Sequence, residues 1–360
     1  MHLSAEGQNI GPIERFASHK NSFGFLRLLF AALVIVSHTP ELVDGNRSRE
    51  LLTRLFGTIS FGEFAVDCFF VVSGYLIAGS FITHPDFLTF LRKRVARIYP
   101  AFLVSSFLAI VVAAPLSGTR WSTIVAAAVS NVGRALLLQS PRVPEVFAGS
   151  HHAVLNGAVW TISFEFGCYL LIAVLGVLGA FRSPKLVAAL ACACFLLQDG
   201  VQTVAFHAQY SALHLPDQLY FVLVDGFRLS GVFLVGTSFY LWRNSISFSA
   251  MGAAISLLSL TACLRILPLA EPGLALFGGY IIFAFAGWGK SGLISRINNR
   301  NDVSYGLYLY AWPIEKLLIF FAPGLPTIAL GLATLIIAAA FGAASWFVIE
   351  KPVLQWAAAK

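Results

Sequence analysis

The sequence predicts an all-α protein, a polytopic bundle of membrane-spanning helices. Of its 360 residues, 58% are hydrophobic and only 11% are charged, whereas soluble domains carry about 25% charged residues. The mean hydropathy is +0.79, and apolar runs of about 20 residues, long enough to span a bilayer, follow one another along the chain. Because these runs leave no stretch for a separate globular domain, we expect one membrane domain.

Three parts make up the predicted domain organisation. Residues 1–22 form a polar N-terminal segment, residues 23–350 form the integral-membrane domain, and residues 351–360 form a short tail. No small-residue cleavage site follows the first apolar run, so we expect that run to stay as the first helix. With the N-terminus inside, the inner loops hold more Lys and Arg residues than the outer loops, which predicts that both termini are cytoplasmic.

Proline, glycine and charged residues divide the apolar sequence into eleven runs. The run at 122–139 is interrupted by Asn131 and Arg134, which predicts an interfacial or half-inserted helix. About ten transmembrane helices remain, at 23–40, 61–82, 99–117, 158–181, 186–206, 218–241, 248–268, 273–288, 303–321 and 326–349.

Charge and cysteine content exclude two classes of site. The net charge of +7 could indicate nucleic-acid binding, but the basic residues lie in short connections between apolar runs and form no aromatic-interleaved stripe. We therefore expect the lipid bilayer, and no nucleic acid, as a partner. Cys192 and Cys194 lack the further ligands that a zinc site needs, so no metal is expected.

Two ionisable residues lie in the first apolar run. Arg27 and His38 are eleven residues apart, close to three helical turns, which places them on one helix face about 16 Å apart. Ionisable side chains within a membrane are costly and are candidates for function. The alternative is that Arg27 extends to the membrane surface and that His38 ends the helix before Pro40.

A second candidate is the stretch FLRKRVARIYP, in which Arg94 and Arg97 lie on one helical face. Paired guanidinium groups suit phosphate recognition. The excess of positive charge that is usual in cytoplasmic loops explains the same residues without a ligand.

Acidic residues are predicted in the outer half of the membrane. Asp67 is placed to orient His38 or to pair with a cation, although it could instead cap its helix. Glu165 and Tyr169 share a helix face in the stretch WTISFEFGCYL. The predicted topology puts Asp67 and Glu165 at a depth similar to that of His38.

Further polar residues give weaker signals. Asp225 and Arg228 have the spacing of an intramembrane ion pair. His151 and His152 lie in an outer loop, where they contact either an acceptor or a metal, or only solvent.

Together these motifs resemble the integral-membrane acyltransferase-3 family, whose multi-span enzymes O-acetylate or otherwise O-acylate carbohydrates. Two positions depart from the family pattern: Ala65 replaces a glycine, and Ala311 replaces a histidine that many relatives carry, so we assign no catalytic role to that helix. We expect the stand-alone membrane form. The motifs are Arg27 with ten residues before His38, VDCFFVVSGYLI at 66–77, Arg94 and Arg97 before IYP, WTISFE at 160–165, SYGLYLYAWPI at 304–314 and EKP at 350–352.

The resemblance implies a reaction across a membrane, expected to be the bacterial inner membrane. The donor is acetyl-CoA or another acyl-CoA, bound by Arg94, Arg97 and Arg27 from the cytoplasm. The acceptor is a hydroxyl of a carbohydrate or glycolipid outside, such as lipopolysaccharide O-antigen or an exopolysaccharide. His38 is expected to act as general base or as transient acyl carrier. The remaining catalytic candidates are Arg27, which guards the donor path, and Asp67 and Glu165, which orient His38 or bind sugar hydroxyls.

A proton-coupled secondary transporter of small organic anions is the alternative function. Intramembrane His, Asp, Glu and Arg residues suit a proton relay. The sequence shows no repeated half and no matched pair of broken helices, which are typical of such transporters.

Overall fold

The computed structural model describes residues 21–208, 216–288 and 292–359. In these ranges every regular element is helical, which confirms the predicted all-α bundle. Apart from Asn21 and Ser22, the predicted N-terminal segment 1–22 lies outside the described residues. The helices are α1 (Phe23–Asp44), α2 (Leu51–Phe56), α3 (Phe61–Thr83), α4 (Phe87–Leu116), α5 (Trp121–Ala126), α6 (Ala128–Leu136), α7 (Ala158–Val177), α8 (Pro184–Ala208), α9 (Asp217–Leu241), α10 (Ala250–Cys263), α11 (Leu267–Trp288), α12 (Ser304–Phe321) and α13 (Thr327–Ala358).

Eight of the described helices are long and apolar enough, by length and composition, to cross a membrane: α1, α3, α4, α7, α8, α9, α11 and α13. The remaining two of the ten predicted spans, 248–268 and 303–321, correspond to α10 and α12. Helix α10 has only 14 residues, and α12 has 18 residues but carries Glu315 and Lys316. The interrupted run at 122–139 forms the short helices α5 and α6.

Helices α4 and α13 extend furthest beyond their predicted bounds. Helix α4 begins at Phe87 rather than at residue 99, because the Asp86 carboxylate caps its first turn by accepting a hydrogen bond of 2.7 Å from the Thr89 amide. Arg94 and Arg97 are therefore helical. Helix α13 continues through a π-helical turn into Lys351–Ala358, most of the predicted tail.

Glycines bring the central helices into close contact. A Cβ atom on Gly74 of α3 would lie 2.0 Å from the Phe233 carbonyl oxygen of α9, and one on Gly236 would lie 2.0 Å from that of Val71. Only glycine permits this approach of two helix backbones. Helix α3 is consequently held against α9, and α1 also packs against α3.

Candidate active site

A cavity of about 350 Å³ lies at the end of the bundle where α1 begins, here called the Phe23 end. Helices α1, α3, α4, α7, α12 and α13 contribute to its wall. The polar and charged residues that line it are Arg27, Ser73, Lys93, Arg94, Arg97, Thr161, Glu165, Tyr169, Ser304, Tyr305 and Tyr308.

Two of the arginines in this cavity already have carboxylate partners. Arg97 donates to Asp302 and, at 3.0 Å, to Glu350. Arg27 lies 3.1 Å from the same Asp302 oxygen. Burial favours a higher pKa for Asp302, but the charges of Arg27 and Arg97 outweigh burial and hold that pKa well below its ordinary value. Arg27 and Arg97 are thus neutralised within the protein.

Arg94 differs from these two arginines. Its guanidinium carbon lies 5.5 Å from the ring centroid of Phe90 and 5.8 Å from that of Tyr169. Its Nε atom is buried without a hydrogen-bond partner, and no carboxylate of the described chain is within ion-pair distance. Arg94 therefore presents an uncompensated cation to the cavity.

Glu165 lines the same cavity. Its Oε1 atom accepts a hydrogen bond of 2.6 Å from the Tyr169 hydroxyl and a long one of 3.5 Å from Ser73. Tyr169 thus contacts Glu165 with its hydroxyl and Arg94 with its ring. The structure brings together four of the residues selected from the sequence, namely Arg27, Arg94, Arg97 and Glu165.

His38 lies outside the cavity lining, toward the other end of α1. Its Nδ1 atom is 2.9 Å from Glu41 Oε2, and its ring meets that of Trp312 edge-on with 4.8 Å between centroids. Its Nε2 atom has no hydrogen-bond partner in the ranges that the structure covers. Hydrogen bonding of one imidazole nitrogen to a carboxylate selects the tautomer in which the other nitrogen is a base.

Helix α12 connects the cavity with His38. Tyr308 lines the cavity, and its hydroxyl is 2.8 Å from that of Thr161. Trp312, the residue that contacts His38, follows one helical turn later, about 6 Å along the axis. One turn of α12 therefore separates the cavity lining from the His38 environment.

Asp67 belongs neither to the cavity lining nor to the His38 environment. Its Oδ1 atom accepts a hydrogen bond of 2.7 Å from Arg228 on α9. Arg228 also contacts Asp225 at 3.1 Å, which confirms the predicted ion pair, and Glu271 at 3.8 Å. The structure thus pairs Asp67 with a cation and shows no contact between Asp67 and His38.

Sequence reasoning missed four residues of these environments. Glu41 had a detectable signal, since it follows His38 by three residues on one helix face. Trp312 and Glu350 lie in noted motifs without an assigned role. Asp302 is remote in sequence from Arg27 and Arg97, and no pattern indicated their pairing.

The described residues contain no group of three or more His, Cys, Asp or Glu side chains arranged to hold a metal ion. The absence of a metal remains a prediction.

Comparison with known proteins decides the family. The acyltransferase-3 model, described as an acyltransferase domain, matches residues 20–349. The chain belongs to this acyltransferase family. An O-acetyl transferase of Shigella phage Sf6 is 27% identical over 84% of this chain and 86% of its own length. Nodulation protein 10 of Rhizobium leguminosarum bv. viciae is 25% identical, with 96% of both chains covered.

A third relative, the acyltransferase MdmB of Streptomyces mycarofaciens, is 30% identical but covers only 39% of this chain and 35% of its own. No solved structure matches the chain significantly. The family and the phage relative confirm the predicted enzyme class, an acyltransferase of the O-acetyltransferase type. The apolar helices of this acyltransferase are those of an integral membrane protein.

Proposed function

We propose that this acyltransferase moves an acetyl group from a cytoplasmic acyl-CoA to a hydroxyl of a glycan or glycolipid on the other side of the bacterial inner membrane. The observation that carries the proposal is that helix α12 contributes to both environments. Tyr308 lines the arginine-containing cavity, and Trp312, one helical turn later, contacts His38. In this arrangement the Phe23 end and both termini face the cytoplasm, where acyl-CoA is made.

The cavity supports acyl-CoA binding through charge and size. Arg94 and Lys93 are the cations best placed for the donor phosphates, because Arg27 and Arg97 are engaged by carboxylates. A cavity of about 350 Å³ is at the small end of ligand sites. It suits the narrow acyl-pantetheine arm, with the nucleotide placed at the end near Lys93.

His38 is suited to act as general base. Glu41 accepts the Nδ1 hydrogen, so Nε2 takes the proton of the acceptor hydroxyl. The hydroxyl oxygen then bonds to the acyl carbon, the carbon–sulfur bond breaks, and His38 returns the proton to the departing thiolate. Transient acylation of Nε2 is the alternative, and it predicts a covalent acetyl adduct on His38.

Two other predicted site residues receive more limited roles in this proposal. Glu165, through Tyr169, holds Arg94 at the cavity wall. Asp67 contacts Arg228 instead of His38, so its contribution is to the packing of α3 against α9.

Arg94→Ala is expected to raise KM for acetyl-CoA by about 10- to 100-fold with little change in kcat. A charge-assisted hydrogen bond to phosphate contributes about 1.5–3 kcal/mol, and the chemical step does not use Arg94. Initial rates of CoA release by purified protein measure both constants. Arg92→Ala is the matched control, since Arg92 is on the same helix but does not line the cavity. Equal changes in both variants would indicate that these arginines only set topology.

The proposed function is tested by mass spectrometry of surface and secreted glycans from cells with the gene deleted and restored. We expect an acetyl-sized mass on a glycan to disappear on deletion and to return on restoration. Identical glycan profiles would contradict the proposal. Vesicle uptake of a labelled organic anion without an acylated product would then favour the secondary transporter.

A further inference from the structure

One carboxylate at the far end of α1 collects three nitrogen-bearing side chains. Glu41 Oε2 lies 2.9 Å from His38 Nδ1 and 2.7 Å from Arg47 Nε. The other oxygen, Oε1, lies 3.3 Å from His152 Nε2. Both oxygens of Glu41 are therefore engaged, which fixes the rotation of the carboxylate.

His38 and His152 also share an aromatic neighbour. Both imidazole rings meet the Trp312 ring edge-on, with centroid distances of 4.8 Å for His38 and 6.2 Å for His152. The side chains differ in exposure, at 14% for His38, 7% for Glu41 and 41% for His152. The second histidine thus lies between solvent and the buried His38–Glu41 pair.

The segment that carries His152 is fastened to α12. Lys316 Nζ donates hydrogen bonds of 2.7 Å to both the Ser150 hydroxyl and the His151 carbonyl. Asn156 Nδ2 donates one of 2.9 Å to the Leu309 carbonyl. These contacts hold the loop 145–156 against α12, the helix whose Trp312 contacts His38.

The backbone of this loop is strained at His152. Its φ angle is +52°, and Glu145 and Phe147 also have positive φ angles. Such conformations persist where surrounding contacts enforce them, and they cluster at functional sites. In this strained conformation the His152 side chain contacts Glu41 and Trp312.

We propose that Glu41, His152 and Arg47 form a positioning group for His38, so that the loop 145–156 contributes one side chain, that of His152, to the active site. The inference rests on the proposed role of His38 as base. Glu41 holds the Nδ1 hydrogen and so keeps Nε2 free to accept a proton. His152 and Arg47 hold Glu41 in the orientation that this hydrogen bond requires.

The test compares adjacent histidines in the purified full-length protein in lipid nanodiscs. The donor is acetyl-CoA, and the acceptor is glycan extracted from the deletion strain. In His152→Asn the side chain is too short to reach Glu41, whereas asparagine tolerates the positive φ angle. His151→Ala is the matched control, because His151 meets Lys316 only through its backbone carbonyl.

We expect kcat to fall about 100-fold in Glu41→Gln and about 10-fold in His152→Asn, a part of the 10²–10⁴-fold typical of general base catalysis. KM for acetyl-CoA should stay within about twofold, because the group is remote from the donor cavity, and His151→Ala should match wild type. Arg47→Gln, on a different segment, should lower kcat in the same selective way. Melting temperatures of all variants identify any loss of folding.

Several results distinguish a failure of this inference from a failure of the proposed function. If His38→Ala is inactive while His152→Asn and Arg47→Gln keep wild-type kcat, the positioning group is refuted and the function stands. A fully active His38→Ala variant would refute the positioning group together with the role of His38 as base, while a wild-type protein that transfers no acetyl group would refute the proposed function itself. If His152→Asn and His151→Ala lose stability equally with unchanged kcat, the loop contacts are structural only.

Discussion

Replacing His38 with alanine is expected to lower kcat by about 10²- to 10⁴-fold, the usual contribution of a general base, with acetyl-CoA binding retained. His38 is the imidazole that the Glu41 carboxylate orients, and it lies one turn of α12 beyond the cavity lining. The proposed site for the donor phosphates is at the opposite end of α1, so donor affinity should be that of wild type. Initial rates of CoA release and the acetyl content of glycans measure the loss.

His84→Ala provides the control for the His38 variant. His84 is exposed at the end of α3. Its replacement removes an imidazole from the same protein without affecting the cavity or Trp312. Full acylation by His38→Ala at normal expression would rule out both the general-base and the acyl-carrier role. Loss of acylation in the His84 variant as well would indicate a general effect of histidine removal on insertion or folding.

The second large effect is expected from Asp302→Asn, which should destabilise the protein by about 3–5 kcal/mol, as when one partner of a buried ion pair is removed. Asparagine keeps the shape of Asp302 but leaves Arg27 without its carboxylate and Arg97 with Glu350 alone. Thermal unfolding of the purified protein in detergent, followed by tryptophan fluorescence, measures the shift in melting temperature.

Asp44→Asn is the matched control for Asp302→Asn. Asp44 also pairs with an arginine, Arg49, but both side chains are about 40% exposed. Exposed pairs contribute little, because water screens the charges. We expect no measurable change in melting temperature. Similar shifts in the two variants would show that the Asp302 network is not a special source of stability.

The depressed pKa of Asp302 gives this prediction a pH dependence. Stability from a carboxylate with a lowered folded-state pKa is fully present above its unfolded-state pKa, about 3.9 for aspartate. It is lost as the pH falls below that value toward the folded-state pKa. The difference in stability between wild type and Asp302→Asn should therefore be constant from pH 5 to 8 and shrink below about pH 4.

The sequence was sufficient for the helical architecture and for grouping Arg27, Arg94 and Arg97 at one end of the bundle. Its placement of Glu165 at the depth of His38 was wrong, because Glu165 lines the cavity together with these arginines. Hydropathy located the runs that became long helices, and the i, i+3 spacing of Arg94 and Arg97 correctly placed both on one helix. Hydropathy failed at the start of α4, because the charged stretch LRKRVAR lowers the local average while the Asp86 cap determines the first turn.

Pairing between remote residues was the part that the sequence could not supply. Asp67 was placed by depth alone, but its partner depends on the Gly74 crossing that brings α3 against α9 and Arg228. Asp302 lies in a connection between helices, where neither hydropathy nor periodicity carries a signal. Its importance follows from two arginines on other helices that converge on it.

The carboxylates beside Arg27 and Arg97 affect how readily the cavity would release a spent donor. A cavity with all its guanidinium groups unpaired would retain any phosphate-bearing molecule, including the spent donor after the acyl group has left. Asp302 and Glu350 already satisfy two of these groups, so in the proposed function only Arg94 and Lys93 attract the incoming nucleotide. Under that proposal, two cations bind the donor strongly enough for capture and weakly enough for release, and the internal carboxylates favour rapid exchange of used for fresh donor.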